Sequence, residues 1–258
     1  MRDFPHLSGA PVTAADVGQA VTLALAAIGG AANSDWHARA GTLEWDCWEA
    51  VEHMSDDLFA YAAQLGPRNP PLEAPVPFAC EARRPGGPVG VVFADRSSGP
   101  AGLLQVFEAT GALLVTMVAV PASDPLGPQP FGVTDPASFA AAMGVAEVLV
   151  HTHDVAQGLG ISWAPPGELC RRALDRLFPG APADSEPWPT LLWATGRGRL
   201  PGHPAVTSWH WDPGRPATEP HPPAPGIIPG AGGGRSGGRV LSRRSARCHP
   251  RRSWCRSR

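Results

Sequence analysis

Glu147 and His151 stand four residues apart, about one helical turn, so both side chains leave the same face of a helix. Met143 and Val150 share that face, which predicts that it points inward. A carboxylate and an imidazole on an inward face are costly unless something pairs with them. A second intrusion of this kind lies earlier, where His53 interrupts the apolar stripe of another helix. Two His and one Glu from two helices form a ligand set for a divalent ion, with positions left open for water or substrate. Spacing alone also allows plainer readings: a helix-surface pair, or a core His hydrogen-bonded to a neighbouring Glu.

The residues around the three refine the picture. Asp154 lies three residues after His151 on the same face and is suited to orient it; Asp57 stands four after His53 and can do the same. Glu49, four before His53, is a substitute ligand should Glu147 point away, and Glu108 is a boundary position that could face the same cavity. His153 lies well round the helix from His151 and reads as a surface or boundary residue. Cys47 and Cys170 read as small core residues. No Cys-His-Asn constellation, Gly-x-Ser-x-Gly elbow or phosphate-binding loop is visible.

Helices must position these groups. Thr13 to Asp16 resembles a capping box opening a first helix that runs to about Ala32. A second is expected from about Glu44 to Leu65, ended by Gly66 and Pro67, with Trp48, Val51, Leu58 and Ala62 buried. After a Pro-rich connection and a short strand-like run at Val89–Phe93, Ser97 or Ser98 caps a third helix over about Pro100–Val120. Its expected buried set is Leu103, Leu104, Phe107, Leu113 and Leu114. Another Pro-rich loop covers Pro121–Phe131. Thr134, Asp135 and Pro136 start a fourth helix that ends at Leu159 and Gly160. Shorter helices follow at about Pro166–Phe178 and Trp188–Thr195. The fold class expected is mainly α: a four-helix bundle with long crossovers over residues 10–162, a small segment packed on it over 163–212, and a disordered Pro/Gly/Arg-rich tail over 213–258.

Composition excludes some roles. The 258 residues carry a formal charge of −2, but residues 231–258 hold nine Arg and no acid. Residues 1–230 therefore carry 12 Arg against 23 acids, a net of −11, which argues against a nucleic-acid partner. The abrupt reversal suggests a shifted reading frame or a non-native extension, with an anion-binding arm as the alternative. Five Cys without paired spacing suit a reducing compartment. Val17–Ala32 lacks a basic leader and is interrupted by polar residues, so it is not read as a signal peptide, and no run is read as a membrane span. A cytoplasmic location is expected.

Two stretches resemble a known family. Trp45, Glu49, His53, Met54, Asp57 and Leu58, followed by Ala142, Met143, Gly144, Glu147, Leu149, His151 and Asp154, are similar to the helix motifs of the mycothiol-dependent maleylpyruvate isomerase type of protein. A later stretch, Leu191 to Arg197, Leu200 to Pro204 and Trp209 to Trp211, is similar too, so the resemblance spans about residues 10–212. It implies a DinB-like four-helix bundle with His53, Glu147 and His151 as metal ligands, zinc fitting this set best and nickel, iron or manganese also fitting. It further implies a mycothiol-type thiol cofactor, made nucleophilic by the metal, acting on a small electrophilic substrate by transfer or isomerisation. The alternatives are a metal-activated hydrolase on the same bundle and a non-enzymatic metal or small-molecule binding protein. Substrate and oligomeric state are not legible.

Overall fold

The computed structural model describes residues 10–72, 74–121 and 130–214. It is mainly helical, as expected. Among the described residues are six α-helices: α1 (Ala14–Ile28), α2 (Cys47–Leu65), α3 (Gly99–Ala119), α4 (Pro136–Leu159), α5 (Gly167–Leu177) and α6 (Pro187–Ala194). Two short strands, β1 (Glu81–Ala82) and β2 (Val89–Gly90), pair antiparallel within the crossover from α2 to α3.

Local chemistry explains most helix ends. At α1 the Asp16 carboxylate accepts from both the N–H and the hydroxyl of Thr13. At α4 Asp135 accepts from the Ser138 N–H, Pro136 occupies the first turn, and Gly160 ends the helix in the left-handed region at φ 68°. The start of α2 differs from expectation by three residues. Asp46 caps it, accepting from the Glu49 N–H at 2.7 Å, while Glu49 accepts from the Asp46 N–H at 3.1 Å. Glu44 and Trp45 precede this box and lie outside the helix.

α1 and α2 each pack against both α3 and α4, and α3 also touches α4. Four helices thus enclose one core, with α1 and α2 diagonally opposed. α4 is the central element: every residue from Ser138 to Ala156 is buried except His153. A helix buried on all sides carries no polar face, and α4 accordingly shows Ala, Val and Leu all round. α5 covers a further side of α4, and α6 packs on α5. The Trp163 indole donates to the Leu149 carbonyl, and the Asp212 N–H to the Leu177 carbonyl, tying the C-terminal segment down at both ends.

The outer row of acids on α2 holds the crossover. Glu49 accepts from Arg84, Glu52 accepts from the Ala94 N–H, and Asp56 accepts from the N–H groups of Val91 and Val92.

Several expectations need correction. On α3 Leu103, Phe107 and Leu114 are buried, but Leu113 is 49% exposed and Leu104 only half-buried, because the inward stripe passes through Thr110 and Gly111 instead. Two segments, Ala14–Ala31 and Arg96–Ala119, do reach the length and apolarity of a membrane span; both contribute side chains to the helical core. Cys47 and Cys170 are free and buried, whereas Cys80 is disulfide-bonded, against the reading of reduced thiols throughout. Most of the loop expected at Pro121–Phe131, and the Arg-rich tail beyond Gly214, lie outside the described residues.

Candidate metal centre

α2 and α4 bring the polar intrusions together. α4 can approach closely because two of its residues lack a side chain. A Cβ on Gly144 would stand 2.5 Å from Leu114 Cδ2, and one on Gly158 would stand 2.4 Å from Cys47 Sγ and 2.5 Å from the Arg39 carbonyl oxygen. Between these contacts α4 presents Glu147, His151 and Asp154, and α2 presents His53 and Asp57.

One ligand atom from each of His53, Glu147 and His151 lies within 4.8 Å of the others. The His53 and His151 rings meet edge to face with centroids 4.9 Å apart. Nε2 of His151 is 3.1 Å from a Glu147 carboxylate oxygen, yet the pair lacks hydrogen-bonding geometry, and Nε2 has no hydrogen-bond partner. Nδ1 of His53 is likewise buried without a partner. Orphaned buried polar atoms are rare and need a cause.

The opposite nitrogen of each ring is engaged. Nδ1 of His151 lies 3.0 Å from Asp154 Oδ2, and Nε2 of His53 lies 3.3 Å from Asp57 Oδ2. Each imidazole therefore turns one nitrogen to a carboxylate of its own helix, the pattern of carboxylate-oriented metal ligands. Trp45 closes one side, its ring edge-on to His53 at 4.7 Å and stacked on His151 at 6.1 Å. His151 is fully buried, while His53 keeps 18% of its side chain exposed, so solvent reaches the site from the α2 side.

The electrostatics suit a bound cation. Burial, then His151, hold His53 down at a pKa of about 3, so it is neutral and able to ligate. Burial and Arg197 press His151 downward, but the Asp154 and Glu147 carboxylates outweigh them and raise it. Burial, followed by the Glu147 and Asp56 charges, pushes Asp57 well above the usual carboxylate range. Burial also works against an ionised Glu147, but the close approach and charge of His151, with His53 and Arg197, hold it below that range. A divalent ion among these groups would relieve the carboxylate repulsion and leave both imidazoles neutral. The donor set of two imidazoles and one carboxylate suits zinc and other first-row divalent metals.

The remaining candidates lie elsewhere. Glu49 is not a substitute ligand, since the cap of α2 and the Arg84 guanidinium, 2.5 Å away, both use it. Glu108 is exposed on α3. His153 turns away to Gln157, 2.7 Å distant, and to the Trp188 ring. Burial pushes the Cys47 and Cys170 thiols up to about 12, which makes them poor nucleophiles.

One neighbour of the site had no sequence signal strong enough to single it out. Arg197, just past the end of α6, is only 6% exposed and grips Asp154. Its residue type was visible within the C-terminal stretch, but no periodicity links it to α4.

Comparison with family models, with curated proteins and with solved structures finds no match to this chain.

Proposed function

We propose that this chain is a metal-dependent enzyme of the DinB-like, maleylpyruvate isomerase type, using a low-molecular-weight thiol such as mycothiol to transfer to, or isomerise, a small electrophilic substrate. The observation that carries the metal is the convergence of one ligand atom each from His53, Glu147 and His151 within 4.8 Å, with His151 Nε2 buried beside the Glu147 carboxylate and without a hydrogen-bond partner. The thiol rests on the sequence resemblance, supported by the half-open side of the site at His53.

His53, Glu147 and His151 would hold the ion, which would lower the pKa of a thiol and supply a nucleophile at neutral pH. Asp57 and Asp154 keep the two imidazoles turned toward it. Trp45 restricts water on one side and leaves the approach past His53 and Asp57. The described residues place no reactive Cys at the site, so in this reading the sulfur is that of a diffusible thiol cofactor.

The test is elemental analysis of purified protein followed by turnover of a panel of small electrophiles with and without mycothiol. Stoichiometric metal with thiol-dependent turnover is expected. Metal with thiol-independent ester or amide hydrolysis would replace this reading with the hydrolase. Metal without turnover would replace it with a binding protein, and protein that retains no metal would end it.

A further inference from the structure

Among the described residues, Arg197 is the buried cation beside the candidate centre. Its Nε lies 3.1 Å from Asp154 Oδ1 and 2.9 Å from Oδ2, its Nη2 lies 2.9 Å from Oδ2, and its Nη1 donates to the Thr195 carbonyl at 3.3 Å. Asp154 is 2% exposed and its Oδ2 is also the partner of His151 Nδ1. The backbone delivers Arg197 to this place: α6 ends at Ala194, Gly196 turns at φ 72°, and the Arg197 N–H returns to the Leu192 carbonyl.

Two proton arrangements compete on His151. Arg197 Nη2 stands 3.4 Å from His151 Nδ1 and could donate to it; that would leave the ring proton on Nε2, facing the candidate ion position. Alternatively the Nδ1 proton faces Asp154 Oδ2, 3.0 Å away as an ion-pair contact, and Nε2 is bare. Asp154 decides the outcome. An ionised carboxylate only accepts and repels a bare nitrogen lone pair, and Asp154 Oδ2 lies nearer to Nδ1 than Arg197 Nη2 does, so Nδ1 keeps the proton. Asp154 can do this only while it remains ionised in a buried position and oriented toward the ring. The forked guanidinium meets both requirements, as a single ammonium would not.

We propose that Arg197 is a positioning residue for the metal centre: it anchors Asp154, which locks His151 in the tautomer whose Nε2 lone pair is directed at the ion. The proposal rests on the metal-centre reading for its consequence, but its first link, the tautomer, is measurable in metal-free protein. It also makes the C-terminal segment a working part of the site, since no helix of the four-helix core supplies this cation.

The experiment compares the wild type with Arg197→Lys, Arg197→Met, Asp154→Asn and the double variant Arg197→Met/Asp154→Asn. Imidazole nitrogen NMR of the metal-free proteins reads the His151 tautomer, and titration with zinc and cobalt reads affinity. Wild type is expected to show a protonated Nδ1 and a bare Nε2. Arg197→Lys is expected to keep the fold but populate both tautomers, with metal affinity about 10–100-fold weaker, the usual effect of losing such outer support. The double variant should be no weaker than Asp154→Asn alone, because the two residues act in series. It also removes both buried charges, so it stays informative if Arg197→Met does not fold. A wild-type tautomer and wild-type affinity in Arg197→Lys, or additive losses in the double variant, would overturn the role of Arg197. Failure of the wild type to bind either metal, with the tautomer as expected, would instead overturn the metal-centre reading, and the positioning of His151 by Arg197 would stand.

Discussion

His151 and His153 are separated by two residues and by opposite surroundings, and the contrast carries the first prediction. Nε2 of His151 is buried without a hydrogen-bond partner beside Glu147, while His153 has Gln157 and Trp188 as neighbours. His151→Ala is expected to abolish metal retention and His153→Ala to leave it intact, as read by mass spectrometry of the purified variants; equal loss from both would mean the wrong imidazole has been assigned. The titration of the metal-free site gives a second prediction. His151 is raised, so below its pKa a proton occupies it that must leave before Nε2 can ligate, whereas His53, held at about 3, gives up none. Asp57 is raised too and adds a second source. Metal affinity should therefore weaken as pH falls through the His151 and Asp57 pKa values, and uptake in that range should release protons. Calorimetry in buffers of different ionisation enthalpy measures this, and uptake without proton release would contradict it. At this scale the cluster of His53, Glu147 and His151, which could hold an ion, was legible in sequence because three polar residues interrupted apolar stripes. Arg197 was not, because its contact with Asp154 spans 43 residues and two turns, with no repeating pattern to mark it.

Among the elements, α4 sets the geometry, and it does so by being buried all round. The sequence reading treated it as a helix with one inward face; in fact Glu147 and His151 face the core because nearly every position does. Caps were legible wherever an acid or hydroxyl stood at the right offset, as at Thr13 and Asp135. The cap of α2 was missed because Glu44 and Trp45 look like good helix residues, and only the reciprocal bonds of Asp46 and Glu49 reveal the true start. That start is fixed against the end of α4 through Gly158. Gly158→Ala would drive a Cβ into the Arg39 carbonyl and Cys47 Sγ, at 2.5 and 2.4 Å, and backbone cannot easily move aside. We expect it to cost about 1–3 kcal/mol of stability, as overpacking does, and to weaken metal binding by separating α2 from α4. Gly30→Ala, where a Cβ meets nothing within 4 Å, should do neither. Chemical denaturation and metal titration of the two variants check the pair, and matched behaviour would remove Gly158 from the account.

For the whole molecule, the question is where the folded unit stops. Trp211 is 6% exposed and packs with Phe178 at 5.4 Å and Trp209 at 4.7 Å, and the Asp212 N–H donates to the Leu177 carbonyl at 2.9 Å. These contacts secure the C-terminal segment that carries Arg197 to Asp154, so the centre depends on residues far outside the four-helix core. Beyond Pro220 the sequence changes character: residues 231–258 carry nine Arg and no acid, with Gly and Ser between them and no apolar stripe. Such a composition offers few apolar groups to bury against a core. Truncation after Pro220 is therefore expected to leave the melting temperature and metal content unchanged, with reductant present in all samples because Cys80 is disulfide-bonded. Truncation before Trp209 should lower both: it removes a buried Trp, a loss of about 3–5 kcal/mol in most cores, and it frees the segment that holds Arg197. A stable, metal-loaded protein ending before Trp209 would show that the four-helix core builds the centre by itself. A drop on removing the tail would show that its Arg residues find partners on the acidic body.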